Sequence, residues 1–182
     1  KNTKMNLNVS YQNVEESRIN RNFGSSKLNS RIEKVSVIAL SSDFTTKINQ
    51  ANLTYGVDIY RDGLQSTAFQ ENILTGAETD LDTRYPDGNN STLRAEGFVS
   101  FSDNFTPEVS YNISARAGYS YLKSEMDTNF FNLPFTAIEQ HNTTYSGAFG
   151  IVNNPTKNIK LAFNLASAYR VPNIDDMAKI FE

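Results

Sequence analysis

From Val109 to Tyr121 apolar and polar side chains alternate one for one. Val109, Tyr111, Ile113, Ala115, Ala117, Tyr119 and Tyr121 form one row, and Ser110, Asn112, Ser114, Arg116, Gly118 and Ser120 form the other. A period of two puts successive side chains on opposite faces of an extended chain, so the segment predicts a β-strand with one apolar and one polar face. Its length exceeds the roughly 5–6 residues usual in soluble strands and suits a tilted membrane strand of about 9–11 residues that continues past the bilayer. The apolar row is graded along its length. Tyr111 stands near one end, Tyr119 and Tyr121 near the other, and small or aliphatic residues lie between. Ten residues rising about 3.3 Å each and tilted about 40° span roughly 25 Å, the height of the apolar band between aromatic girdles in membrane barrels.

Six further segments carry the same rhythm. Met5, Leu7, Val9 and Tyr11 alternate with Lys4, Asn6, Asn8 and Ser10; Ala51, Leu53, Tyr55, Val57 and Ile59 alternate with Asn52, Thr54, Gly56 and Asp58. Tyr145, Gly147, Phe149 and Ile151 form another row, and so do Ile159, Leu161, Phe163, Leu165, Ser167 and Tyr169, with charges confined to the opposite parity. Leu93, Ala95, Gly97, Val99 and Phe101 are interrupted by an apolar Phe98 on the polar row. Between Ile32 and Phe44 the phase changes, because Val35 and Val37 share one parity while Ile38, Leu40 and Phe44 share the other. A β-bulge there would restore the phase. The fold class expected is all-β: an antiparallel transmembrane sheet of about seven strands.

The connections alternate in length. Short ones are expected at Thr45–Asn49, Ser102–Pro107 and Asn153–Asn158, and long ones at Glu15–Arg31, Arg61–Ser91 and Lys123–Gln140, with a fourth opening after Arg170. Tight turns on one side and long loops on the other are what a membrane barrel requires. A soluble β-sandwich also alternates along its strands, but it calls for shorter strands and turn signals every 8–12 residues or so.

Composition narrows the function classes. The 182 residues include 12 Phe and 9 Tyr, no Cys, and a formal net charge of -3. Disulfides and thiol chemistry are excluded, and no basic surface points to nucleic acid. No apolar run reaches the roughly 18 residues of a membrane helix, and KNTKMNLNVS at the start lacks the core of a signal peptide, so an export signal is expected upstream. Asn-x-Ser/Thr triplets at Asn52, Asn104 and Asn142 arise by chance in a chain so rich in these residues. No nucleophile motif with Ser, His and Asp, no phosphate-binding glycine loop and no paired catalytic carboxylates are present, so neither an enzyme nor a cofactor is expected.

The last stretch reads AYRVPNIDDMAKIFE, residues 168–182. Tyr169, Arg170, Val171, Pro172, Asn173, Asp175 and Asp176 resemble the FRAP-type box of TonB-dependent outer-membrane receptors, with Tyr in place of Phe and Val in place of Ala. The run SGAFGIVNNPTKNIKLAFNLAS before it resembles the family's strand, Asn-Pro-Thr turn and strand, and RYPDG at Arg84–Gly88 looks like a loop motif of one branch. The resemblance implies a 22-stranded barrel closed by an N-terminal plug in the bacterial outer membrane, importing an iron complex, haem or a siderophore, with energy passed through TonB. Receptors for a corrinoid or a glycan, and a structural or adhesion barrel without transport, are the alternatives. Seven strands do not close such a barrel. Residues 1–182 are therefore expected to be one partial barrel domain, with the plug and the remaining strands lying outside it.

Four residues are candidates for ligand contact. His141, the one histidine, is expected just above a strand at the outer rim, where the resemblance suggests a haem-iron ligand and a solvated loop residue is the plainer alternative. Arg170 lies on the polar parity and can grip a carboxylate of a ligand or of the plug, or anchor the wall to Asp175 and Asp176. Arg84 and Tyr85 in the longest loop are placed to meet an anionic or aromatic ligand. Asp80, Asp82 and Asp87, with Asn89 and Asn90, offer oxygen ligands of the kind calcium takes, but their spacing is not that of an EF-hand, and solvated loop acids are the default.

Overall fold

The computed structural model describes residues 3–126, 134–177 and 179. Residues 127–133, at the centre of the loop expected between Lys123 and Gln140, and the last letters of the C-terminal motif lie outside them. The strands are β1 (Thr3–Asn20), β2 (Lys27–Ile48), β3 (Ala51–Asn72), β4 (Ala77–Asp80), β5 (Asn90–Asn104), β6 (Val109–Glu125), β7 (Ala137–Thr156) and β8 (Ile159–Ala166), followed by one helical turn, α1 (Ile174–Met177). They form a single antiparallel sheet ordered β1-β2-β3-β5-β6-β7-β8, with the short β4 folded back on the end of β3. Each long strand thus pairs with its neighbour in sequence, and the sheet curls into a half-barrel. Among the described residues no helix is long and apolar enough to cross a membrane; in this architecture the crossing elements are strands.

Register sorts the side chains. Tyr11 stands opposite Ile38, Ile38 opposite Arg61, Arg61 opposite Leu93, Leu93 opposite Tyr121, and Tyr121 opposite His141. Every apolar row therefore falls on the convex face, where Leu7, Val9, Val57, Val99, Ile113, Phe149 and Phe163 are exposed. Phe44 stacks on Tyr55 with centroids 5.4 Å apart, and Phe105 on Tyr111 at 4.2 Å, near the short-turn end. Towards the other end the first ion pairs on this face are Lys34–Glu15 (3.4 Å) and Lys123 with Glu125 (2.6 Å) and Glu139 (3.8 Å). An apolar belt edged by aromatic rings and then by charge is the surface a bilayer selects.

The bulge expected in β2 is absent. The ladder runs unbroken from Thr3↔Thr46 to Asn20↔Asn29 on one side and from Lys27↔Asn72 to Ile48↔Ala51 on the other. Ile38, Leu40 and Phe44 keep the convex parity, while Val35 and Val37 face inward. Val35 has an apolar neighbour there, since Ile174 of the C-terminal segment lines the same clefts. Among the described residues the one register shift lies between β7 and β8 at Asn153/Thr156, where Pro155 has no N–H for the ladder.

Two expected loops are largely strand. Only residues 21–26 connect β1 to β2, and β3 continues to Asn72 before β4 turns back. Beyond the bilayer both faces are wet, so the apolar alternation stops while the backbone ladder does not. β8, in turn, ends at Ala166 and does not reach Tyr169, because after Ser167 bonds to the Gly147 carbonyl the chain leaves the sheet edge for the concave side.

The two faces should respond differently to charge. Ala115→Lys, on the convex face in mid-belt, should destabilise the membrane-inserted protein by about 2–4 kcal/mol. Ser114→Lys, one residue away on the concave face, should cost far less. Unfolding titrations in lipid vesicles measure both.

Candidate functional site

The concave face is polar because its residues come from the second row of every strand. At its middle, Arg116 of β6 donates from Nη1 to Asp58 Oδ2 of β3 (2.9 Å) and to Glu96 Oε2 of β5 (2.6 Å). Phe98, the residue that broke the alternation, lies flat on this wall, its ring 5.0 Å from the Arg116 guanidinium. Glycine makes the room. A Cβ on Gly56 would stand 2.8 Å from the Phe98 ring and 2.2 Å from the Ser42 carbonyl, and one on Gly118 would stand 2.5 Å from Glu96 Cγ. The other Glu96 carboxylate oxygen accepts a short hydrogen bond from the Tyr169 hydroxyl.

At the long-strand end, residues 81–89 fold down onto the concave face instead of extending outward. Arg31 Nε donates to the Asp82 carbonyl (3.2 Å), the Tyr85 N–H to Ser66 Oγ (3.4 Å), and the Gly88 N–H to the Glu125 carbonyl (3.0 Å). Pro86 is fully buried. Asn90 holds this segment: its Nδ2 donates to the Leu64 carbonyl (3.2 Å) and the Pro86 carbonyl (2.7 Å), and its Oδ1 accepts from Ser124 (2.6 Å). The RYPDG motif is therefore part of the inner lining. The acids near it are divided between β4 and this segment, and among the described residues no group of three His, Cys, Asp or Glu side chains able to hold a metal comes together.

The C-terminal segment crosses the same face. Arg170 Nη2 donates to both Asp176 oxygens (2.6 and 2.7 Å), the Asn173 N–H donates to Asp176 Oδ2 (3.1 Å), and Asn173 Oδ1 accepts from the Asp176 N–H (3.0 Å). This reciprocal cap starts α1. The Asn173 N–H, and after it the Arg170 guanidinium, hold the Asp176 carboxyl below its ordinary pKa. Tyr85 donates its hydroxyl to Asp175 Oδ1 (2.7 Å), and burial together with that carboxylate raises the phenol's pKa. Two clefts flank the crossing. One of about 200 Å³ includes Glu33, Leu64, Arg84, Tyr85 and Ile174 in its lining, and one of about 290 Å³ includes Tyr60, Asp62, Arg94 and Asn173.

Tyr85 thus meets Asp175 of the C-terminal motif, Arg84 lines the cleft beside Tyr85, and Tyr169 meets the wall at Glu96. Arg170 is spent on Asp176. Pro172 and Asn173 line the larger cleft. His141 is set apart. It lies within β7, not above it, on the convex face, where Nδ1 shares a hydrogen bond with the Tyr119 hydroxyl and the ring lies 4.7 Å from that of Tyr121. Glu33 is the residue that sequence reasoning missed. It is 5% exposed, neither carboxylate oxygen has a hydrogen-bond partner, and burial, the largest influence, raises its pKa above the ordinary glutamate value. Nothing in its sequence neighbourhood marks it, since only the inward fold of residues 81–89 and the return of Ile174 cover that part of β2.

The geometry is that of one curved wall lined by two segments of its own chain. A solved structure, the copper transporter OprC, has the same curved wall: the TM-score is 0.72 at 14% identity, over 93% of this chain and 28% of that one. The fold is a section of membrane barrel wall. No protein-family model matches the sequence, and no curated protein does. The chain spans 28% of the length of OprC, and at this identity the likeness extends to architecture alone.

Two substitutions test the lining. Asn90→Ala removes three buried hydrogen bonds and strands the Leu64 and Pro86 carbonyls, so it should cost about 1–3 kcal/mol or more and raise proteolysis of residues 81–89. Glu33→Gln should act in the opposite direction. Burial raises the folded-state pKa above the unfolded value of about 4.3, so the carboxylate penalises folding once pH rises through the folded pKa, and the penalty vanishes below the unfolded one. The variant should therefore unfold at higher temperature than the parent at pH 7.5, with the gap closing as pH is lowered through the glutamate range.

Proposed function

We propose that this chain is part of the barrel wall of a bacterial outer-membrane receptor that imports an iron complex, haem or a siderophore, by TonB-dependent uptake. The observation that carries the reading is the meeting of two stretches that resemble receptor motifs independently. The YRVPN segment and the RYPDG segment lie about ninety positions apart, yet both turn onto the concave face and join through Tyr85 and Asp175. A structural or adhesion barrel has no need to line its interior with tethered segments bearing unpaired polar atoms. A receptor does, because its inner wall must meet a ligand arriving through the outer mouth.

In this reading residues 1–182 are one partial barrel domain. TonB acts through a plug beyond this chain, and the convex belt meets the lipid bilayer. Ligand contact falls to Arg84 and Tyr85 at the cleft. Arg170 positions the C-terminal segment through Asp176. The iron complex is the ligand the box points to, with a corrinoid or glycan as the alternative. The reading does not rest on His141, whose ring faces the convex side.

The test is whole-cell uptake by the full-length protein under iron limitation. Accumulation of labelled haem or ferric siderophore that stops when TonB is deleted is the expected result, and Tyr85→Phe with Asp175→Asn should reduce it several-fold. TonB-dependent uptake of a corrinoid or glycan but not of iron would overturn the ligand. No energy-dependent uptake of any of them would overturn transport.

A further inference from the structure

The cleft beneath Ile174 contains buried polar atoms of two side chains of opposite sign that lack hydrogen-bond partners, although the Arg84 guanidinium lies 5.3 Å from the Tyr85 ring and Arg18 attracts Glu33. Glu33 is 5% exposed with both oxygens unpartnered, and Arg84 Nε is buried without an acceptor. Both side chains line the same space of about 200 Å³, and no ion pair joins them. Their neighbours are already engaged: Glu16 with Arg18 at 2.6 Å, Arg31 with the Asp82 carbonyl, and Tyr85 with Asp175. The rest of the wall is apolar at Val14, Val35, Leu64 and Ile174, with the Asp62 carboxyl at its edge.

Leaving a buried carboxylate without donors costs stability, and a ligand that supplies the donors recovers it. A metal ion does not match it, since among the described residues no three His, Cys, Asp or Glu side chains come together to hold one. An ammonium has three donors and makes charge-assisted bonds to a carboxylate, and a carboxylate is the natural acceptor for a guanidinium N–H. We propose that this cleft binds a zwitterionic α-amino-acid group, its ammonium on Glu33, its carboxylate on Arg84 and its aliphatic body against Val35, Leu64 and Ile174. Taking a water's share of liquid as about 30 Å³, the cleft has room for roughly six or seven waters, which suits one amino acid or an amino-acid end of a larger ligand. The biological meaning rests on the receptor reading, where it defines the ligand class as one that presents such an end.

Three probes of one skeleton separate the contributions: L-leucine, isopentylamine, which lacks the carboxylate, and 4-methylpentanoate, which lacks the amine. Calorimetry on the full-length protein in detergent should show leucine binding at least tenfold more tightly than either of the others. Glu33→Gln, which relieves the burial cost and keeps the fold, should weaken leucine at least tenfold while leaving 4-methylpentanoate unchanged. Arg84→Gln should weaken leucine and spare isopentylamine. Equal binding of the three probes, leucine affinity unchanged by Glu33→Gln, or no leucine binding by the folded protein would overturn the proposal. TonB-dependent uptake in the same cells tells the two readings apart. Uptake without leucine binding removes the site and leaves the receptor, whereas leucine binding without uptake removes the receptor and leaves the site.

Discussion

Everything in this molecule depends on an unbroken backbone ladder between neighbouring strands. In hydrocarbon an unpaired N–H or C=O costs several kcal/mol, so a chain that crosses by strands must pair every one of them with the next strand. That demand explains why the sheet follows sequence order without crossovers, and why β2 takes no bulge despite its mixed parity. It also explains where the ladder is relaxed. The register shift at Asn153/Thr156 sits at a turn, outside the belt, where water can satisfy what the strands leave open.

Once the ladder sets the parity, the concave face has to solve a crowding problem of its own. Strands packed side by side on the inside of a curve bring large side chains together. Gly56 and Gly118 give up their side chains so that Phe98 and Glu96 can lie along the wall. Arg116 then bridges two carboxylates, and the Tyr169 hydroxyl ties the C-terminal segment to one of them. The apolar Phe98 on a polar row is thus no defect in the pattern. It is a flat aromatic floor for a guanidinium, made possible by a missing Cβ on the adjacent strand.

The interior lining and the ligand question are connected by the same economy. Asn90 bonds two carbonyls and a hydroxyl and so pins the segment that lines the cleft. Glu33 lies nearby without a hydrogen-bond donor, and a bare buried carboxylate lowers stability until a partner arrives.

The period of two, the girdle tyrosines and the alternation of short and long connections are local properties of the chain, so the sequence by itself determined the seven long strands, their faces and the end at which the turns are tight. The outer limits of β1–β3 were not legible, because beyond the bilayer both faces are wet and pairing continues without any apolar signature. The FRAP-like box and RYPDG were visible as letters, but not their meeting, which needs the curl of the sheet and two inward-turning segments ninety positions apart. Tertiary structure alone decided that His141 faces outward between two tyrosines, that Arg170 is spent on Asp176, and that Glu33 is buried without a partner. Burial is a property of what folds over a residue, and in this chain the cover for Glu33 comes from positions about fifty and one hundred and forty further along.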